Sequence, residues 1–490
     1  MDCAWKELQE ILERAASFQA ALTLFGWDTE TQAPPEGATL TARVVGTLAE
    51  EYFALMTGPR VRELASSIDE GTLDSRERAI LRRLRRELDA LEKIPQKEYG
   101  AYQELLARSP SVWKKAKEEN NFAAFAPVLD EVISTARRFA SLRAKEGQSP
   151  YDVLLDDYEE GFPTAVLDPF FREARERIVP LLRRRMEAGL EPAKKRSCPA
   201  DKQRAWCRWL AGYVGFDFSR GVIGETEHPF TTNLHNHDVR IAIHYYEDDA
   251  ASAIFSTIHE TGHAIYEQQI DDDRTLTLIG GGTSMGMHES QSRFFENNLG
   301  RSRAFWSAIY EKLQQMLPEA YGNVPLDEFL RDCNAVQPSL IRTEADELTY
   351  TLHILIRYEL EKELFAGTLR TEDLPAAWNA KYREILGVEP QNDAEGVLQD
   401  THWASGLLGY FPSYALGSAI AAQLEAYLRR TMDLDGALRS GSLSSIRAVL
   451  KEHLHRFGGE KTTQELLTAM TGEGFEPRYY FEYLENKYGV

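Results

Sequence analysis

The sequence has only four cysteines in 490 residues, Cys3, Cys198, Cys207 and Cys333. They are too sparse and too irregularly spaced for a disulfide framework or a cysteine-based zinc site, and their use is consistent with a reducing compartment. No uninterrupted apolar stretch approaches the roughly 20 residues needed to cross a bilayer. The opening Met1-Asp2-Cys3-Ala4-Trp5-Lys6-Glu7 is charged and amphipathic, without the hydrophobic core of a signal peptide. A cytoplasmic protein with no membrane attachment is expected. Positive charge is also in deficit: 56 Lys and Arg face 77 Asp and Glu, a net charge of −21 that opposes the basic field nucleic acid requires. No nucleic-acid partner is expected, because the basic runs Arg82-Arg83-Leu84-Arg85-Arg86 and Arg183-Arg184-Arg185 are surrounded by acidic residues at spacings that suit solvated helix faces.

Hydrophobic and charged contents of 43% and 27% are ordinary for a globular chain and suffice for a large core. Helical periodicity dominates, as in Leu8 to Leu24, Arg76 to Lys93, Ala345 to Leu364 and Tyr414 to Arg430. In the third of these, Ala345, Leu348, Leu352 and Leu355 repeat the spacing of a buried stripe. One stretch differs. His228 to Tyr246 alternates residue types, is rich in β-branched and aromatic side chains and breaks at Asn236-His237-Asp238, which predicts a β-hairpin and a small sheet. An edge strand there could take an extended peptide by strand addition. Breakers such as Ala33-Pro34-Pro35-Glu36-Gly37 and Gln148-Ser149-Pro150 are short and start no change of composition, so they read as loops within one domain.

Just after the hairpin comes Ile258-His259-Glu260-Thr261-Gly262-His263. On a helix, His259 and His263 project from one face a turn apart, within reach of one ion, with Glu260 beside them as a carboxylate base. A catalytic zinc site usually has three protein ligands and an open position, so a third ligand is needed. Glu289 is preferred, 26 positions beyond His263. Asp271-Asp272-Asp273 and Gly280-Gly281-Gly282 between them mark a loop that can return the chain. His288 competes, but two histidines and a glutamate make a known open site whose negative charge offsets part of the cation's. Cobalt suits the same ligands as zinc. The plain alternative is a buried amphipathic helix, on which Phe255, Ile258, Gly262 and Ile265 form a core stripe. Against it, seven of the 11 histidines lie between His228 and His288.

The ordered set of motifs resembles the zinc carboxypeptidases of the carboxypeptidase Taq family. The set comprises His228-Pro229-Phe230, Asp238-Val239-Arg240, His259 to His263, His288-Glu289-Ser290-Gln291, Ile341-Arg342-Thr343-Glu344-Ala345-Asp346-Glu347 and Gly396 to Trp403. Gly409-Tyr410-Phe411-Pro412-Ser413-Tyr414 and the N-terminal Trp27-Asp28, Pro34-Pro35 and Gly37-Ala38 are similar too, so the resemblance spans most of the chain. One departure is Ala242, where the family's Asp-Arg-Thr motif has threonine.

The resemblance implies a mainly helical, single-domain, usually homodimeric metallocarboxypeptidase that removes residues from peptide C-termini in a deep cleft. Carried over by position, it makes His259, His263 and Glu289 the metal ligands and Glu260 the base. The single domain then covers 1–490, with a helical part at about 1–200 and a catalytic core at about 220–420. A carboxypeptidase needs a cation for the terminal carboxylate, and Arg342 is the first choice because its planar fork can hold a carboxylate bidentately; an ion pair with Glu344 or Asp346 is the alternative. Asp346 is assigned the orientation of a metal-bound histidine. Oxyanion donors are sought among His228, His402, Tyr410 and Tyr414, of which the resemblance favours Tyr414 and His402. Competing functions are a zinc endopeptidase or aminopeptidase and a non-catalytic helical interaction protein.

Overall fold

The structure is a computed structural model that describes residues 3–189 and 191–489. Helices follow one another along the chain, and the only sheet among the described residues has three strands. The chain groups into two compact units, one of Met1–Asp89, Lys194–Cys333 and Leu424–Phe475, the other of Ala90–Ala193, Asn334–Gln423 and Glu476–Val490.

In the first unit, helix α1 (Cys3–Thr31) buries Trp5, Leu8, Leu12 and Ala15, spaced 3, 4 and 3, against Leu64, Leu81 and Leu84. Helix α2 (Ala38–Thr57) runs back beside it after the proline break at Pro34-Pro35. The predicted hairpin is present: β2 (Phe230–His235) pairs antiparallel with β3 (Asp238–Ile243) across a turn at Asn236-His237. A further strand, β1 (Ile223–Glu225), pairs parallel with β3, so the order is β1-β3-β2 and β2 is an edge. Three residues carry too little alternation to announce β1 in advance.

Behind the sheet, α3 (Ala200–Val214) and α4 (Ala250–Gln268) pack together. The stripe Phe255, Ile258, Gly262 and Ile265 is buried, and from Thr257 to Gln268 only His259 and His263 are half-exposed. Core stripe and motif therefore share one helix. After the expected loop, α5 (Met285–Arg293) starts at Ser284, whose side chain accepts the Met287 amide hydrogen as an N-cap. Gly262 sets the spacing between α4 and α5, because a Cβ there would lie 2.7 Å from the Gln291 carbonyl oxygen and 2.8 Å from Ser292 Cα.

In the second unit the central helix is α6 (Glu347–Ala366), buried on every side and ended by Gly367 at φ 74°. Glu347, at its first turn, accepts from Tyr483 Oη, Lys487 Nζ and Tyr488 Oη at 2.6 to 2.7 Å, which fastens the helix Arg478–Tyr488 to it.

Because the α4–α5 contact leaves no room for a methyl group, Gly262→Ala should cost about 1–3 kcal/mol, as overpacked sites do. It should also move Glu289 away from His259 and His263, which would loosen any metal that these three hold. Thermal melts in chelator and metal titration check this; unchanged values in both would mean that the helices part freely.

Candidate metal centre

Ring centroids of His259 and His263 lie 4.9 Å apart on consecutive turns of α4. Glu289 Oε2, presented by α5, is 3.7 Å from His259 Nε2 and 3.5 Å from His263 Nε2. Ligands held about 2.0–2.1 Å from a tetrahedral ion stand about 3.4 Å from one another. The three ligand atoms, all within 4.8 Å of each other, therefore fit one divalent cation with little movement.

The second nitrogen of each ring is occupied. His259 Nδ1 meets Glu296 Oε2 at 2.9 Å. His263 Nδ1 lies 2.6 Å from His288 Nδ1, and His288 Nε2 lies 2.7 Å from Glu267 Oε1. The carboxyl of Glu267 accepts from His288 Nε2, so a neutral His288 offers its Nδ1 lone pair and His263 donates to it. That tautomer leaves the His263 Nε2 lone pair turned towards Glu289. Burial lowers the His263 pKa to about 3, which keeps its ring neutral and fit to ligate. Burial also works against charge on His259, but Glu289 and Glu296 outweigh it and raise its pKa. Both carboxyls are held well below the usual range despite their burial, Glu289 by Arg293 and the histidines and Glu296 by Arg293, His259 and Arg301.

Glu260 is buried, and Thr231 Oγ1, carried by β2, lies 2.6 Å from its Oε2. The hairpin thus orients this carboxyl. Ala242, at the family's threonine position, is a buried residue paired across the hairpin with Phe230, while Asp238 holds Arg240 at 2.7 Å. His228 is exposed just before β2.

Within the second unit, Arg342, His402, Tyr410 and Tyr414 form a cluster. His402 Nε2 is 3.1 Å from Tyr414 Oη, the His402 and Tyr410 rings stack at 5.7 Å, and the Arg342 guanidinium lies over the Tyr414 ring at 5.0 Å. Burial lowers the His402 pKa to about 4, with Arg342 and Arg357 pushing the same way against Asp400.

Two expectations change. Arg342 pairs with Asp400 at 2.9 Å, not with Glu344 or Asp346. Asp346 does not orient a metal-site histidine: it is the N-cap of α6, accepting from the Gln337, Leu348 and Thr349 amides, while Glu296 and His288 hold the histidines. An aspartate directly before a helical stripe is a capping signal, which competes with any long-range role. Glu296, Glu267, Thr231 and Asp400 were not singled out in the sequence. Glu296 carried a signal, since it stands seven positions, about two turns, beyond Glu289, and Asp400 lay within the Gly396 to Trp403 stretch that resembles the family.

A family model described as carboxypeptidase Taq (M32) metallopeptidase matches residues 7–488. Carboxypeptidase 1 of Bacillus subtilis (strain 168) is 40% identical over 489 residues, covering 99% of this chain and 97% of that protein. Thermostable carboxypeptidase 1 of Pyrococcus furiosus is 36% identical over 480 residues, covering 96% of this chain and 95% of that one. The crystal structure of an M32 carboxypeptidase from Deinococcus radiodurans R1 superposes with a TM-score of 0.95 at 34% identity, covering 100% of this chain and 99% of its own. Matches that run over nearly the whole sequence and through the helix of the two histidines leave one conclusion: the chain belongs to the carboxypeptidase Taq (M32) family of metallopeptidases.

Proposed function

We propose that the chain releases C-terminal amino acids from peptides, with His259, His263 and Glu289 holding the metal, Glu260 as general base and Arg342 receiving the terminal carboxylate. The observation that carries this reading is the convergence of two imidazole nitrogens and one carboxyl oxygen at tetrahedral spacing beside Glu260. Two histidines and a glutamate suit zinc, with cobalt as a substitute. The bound ion supplies Lewis acidity, polarising the scissile carbonyl and raising the acidity of a water. Glu260, held at Oε2 by Thr231, keeps Oε1 for the proton it takes from the attacking water and delivers to the departing amine.

Donor accounting favours Arg342 over its neighbour as the carboxylate clamp. All five N–H hydrogens of Arg357 are engaged, by Asp400, Gln399, Tyr382 and the His353 carbonyl. Arg342 uses three, two towards Asp400 Oδ1 and one towards Tyr350 Oη, which leaves two of five for a carboxylate. Two arginines also face one aspartate, a surplus of positive charge that an anionic terminus would balance. Tyr414, steadied by His402, is the proposed oxyanion donor, with Tyr410 and His228 as further substrate-side groups. The catalytic domain is taken as the whole chain, 1–490, since the family match runs almost end to end. A homodimer follows from the family resemblance. A reducing, cytoplasmic location is supported by four free thiols, three of them buried. Peptide digestion read by mass spectrometry, with and without chelator, tests direction of cleavage and metal dependence together.

Glu260→Gln should keep metal content near wild type while turnover falls by orders of magnitude, because the amide preserves size and removes the base. Retained turnover would take Glu260 out of the mechanism.

Metal titration should rank three variants. Glu289→Ala loses the metal most, Glu296→Gln weakens affinity about 10–100-fold by loosening His259, and His288→Ala acts similarly through His263. If His288→Ala strips the metal and Glu289→Ala does not, the ligand set is wrong.

Arg342→Ala should lower kcat/KM on free-acid peptides by roughly 2–4 kcal/mol with the metal retained, while Asp400 keeps Arg357 as its partner. Amidated peptides should be poor substrates of both enzymes. Equal wild-type rates on acid and amide would sink the clamp.

A further inference from the structure

Glu361 is fully buried on α6, and no lysine, arginine or histidine pairs with it among the described residues. Its oxygens accept only from neutral donors. Trp403 Nε1 donates to Oε1 at 2.7 Å, and Tyr151 Oη at 2.7 Å and the Gly409 amide at 3.0 Å donate to Oε2. Burying an acid without a cation is costly, so an apolar residue of similar size would be cheaper if packing were the only need.

The two donors from one stretch of chain show what the carboxyl does. Trp403 directly follows His402 and Gly409 directly precedes Tyr410, so one side chain grips both ends of the turn whose flanking rings stack on each other. The turn is tight: Gly409 sits at φ 84°, and a Cβ there would come within 3.0 Å of the Leu154 main chain, in the helix Pro150–Tyr158. That helix supplies the third donor, Tyr151, and packs Tyr158 against Tyr410 at 5.1 Å. We infer that Glu361 is a positioning residue of the peptidase reaction, its ionised carboxyl holding the 403–409 turn and thereby fixing His402, Tyr410 and Tyr414. This rests on the proposed substrate-side role of those three.

The hold is sensitive to protonation. Indole and peptide N–H groups can only donate, so a protonated Glu361 could pass its hydrogen to the Tyr151 oxygen alone, and Oε2, then a neutral hydroxyl, becomes a much weaker acceptor for Gly409. Burial raises the Glu361 pKa to about 7, against the lowering effects of Trp403, Tyr151, Gly409 and Arg357. The groups facing it are Tyr151 and Tyr158 from the helix Pro150–Tyr158, Arg357 one turn earlier on α6, and the turn itself. Tyr151 is pushed well above its ordinary value by burial and by Glu361, so it stays protonated. The strongly gripping, ionised form is therefore the one present above about 7 and lost as pH falls through that value. Activity should carry an acid limb there.

The test compares kcat and KM across pH for wild type, Glu361→Gln and Tyr151→Phe. Whichever way a glutamine amide is turned, its N–H₂ faces a donor, so Glu361→Gln keeps the shape and breaks the grip. It should lower kcat/KM about tenfold at alkaline pH, one hydrogen bond's worth, and abolish the limb while metal content stays at the wild-type level. Tyr151→Phe removes a donor that favours the ionised form, so its limb should move to higher pH. The Trp403 indole N–H resonance, assigned with Trp403→Phe, should titrate with the same midpoint in wild type and be pH-independent in Glu361→Gln. An unchanged limb in both variants, or a wild-type Trp403 signal that ignores pH, overturns the inference; if Glu361→Gln fails to fold, the direction of the Tyr151→Phe shift decides. If the signal titrates while His402→Ala and Tyr414→Phe leave turnover intact, it is the catalytic reading of the cluster that fails, and the grip on the turn stands.

Discussion

The cluster of His259, His263 and Glu289 depends on one close contact, the seating of the Gln291 carbonyl and Ser292 Cα against the bare face of Gly262. Two histidines a turn apart present nitrogens in one direction, but a carboxyl reaches them only if the next helix approaches nearer than side chains normally allow. With α5 that close, Glu289 Oε2 stands 3.5 Å and 3.7 Å from the two Nε2 atoms. The approach also brings further acids inward. Glu289 and Glu296 lie in a region where isolated carboxylates would be strongly disfavoured, and Arg293, reaching Glu289 Oε1 at 2.6 Å and Glu296 Oε2 at 3.2 Å, offsets both.

From the two histidines, hydrogen bonds run into the core in two directions. His259 hands over to Glu296, which Arg301 steadies at 2.9 Å. His263 hands over to His288 and then to Glu267, whose carboxyl also takes the amide hydrogen of Gly282 at 2.9 Å and the side-chain amide of Asn233 on β2. The loop that returns the chain to α5 thus also buttresses the ring behind His263. Asn233 and Thr231, both on β2, serve the two ends of this arrangement, one through Glu267 and the other at Glu260. The small sheet earns its place in a helical protein by holding acids on α4.

What was legible in the sequence follows the reach of each interaction. The α4 helix, the hairpin with its turn at Asn236-His237 and the loop before α5 are set by local period and turn chemistry, and they stand where expected. Glu289 was named because few groups near the histidines could complete a ligand set, and its Oε2 stands near both rings. No role could be named for Thr231 or Asp400, since a hydroxyl 29 positions from Glu260 and an acid 58 positions from Arg342 leave no periodic trace. Asp346 was misread for the opposite reason: a local use, capping α6, satisfied its carboxyl before any distant histidine could.

The two units meet the cost of buried charge in opposite senses. Around the histidines of the first, the acids Glu260, Glu289 and Glu296 face Arg293, Arg301 and His259, whose pKa Glu289 and Glu296 raise, while the imidazole of His263 is neutral. A divalent cation bound at the proposed ligands would take the place of the proton that His259 otherwise attracts. In the second, Arg342 and Arg357 share the single carboxylate of Asp400, whose pKa falls well below the usual range because the two guanidiniums outweigh its burial. Beyond Asp400, the acid facing this pair is Glu361, one turn from Arg357, so Arg342 is the arginine that a terminal carboxylate would meet in the proposed clamp. Arg342 is already fixed by Asp400, Tyr350 and the ring of Tyr414, so the proposed clamp would lose little side-chain freedom on taking a carboxylate. In the proposed clamp, a neutral amide in that position would gain less from the arginine pair than a carboxylate does, which would favour a free terminus over an internal peptide bond.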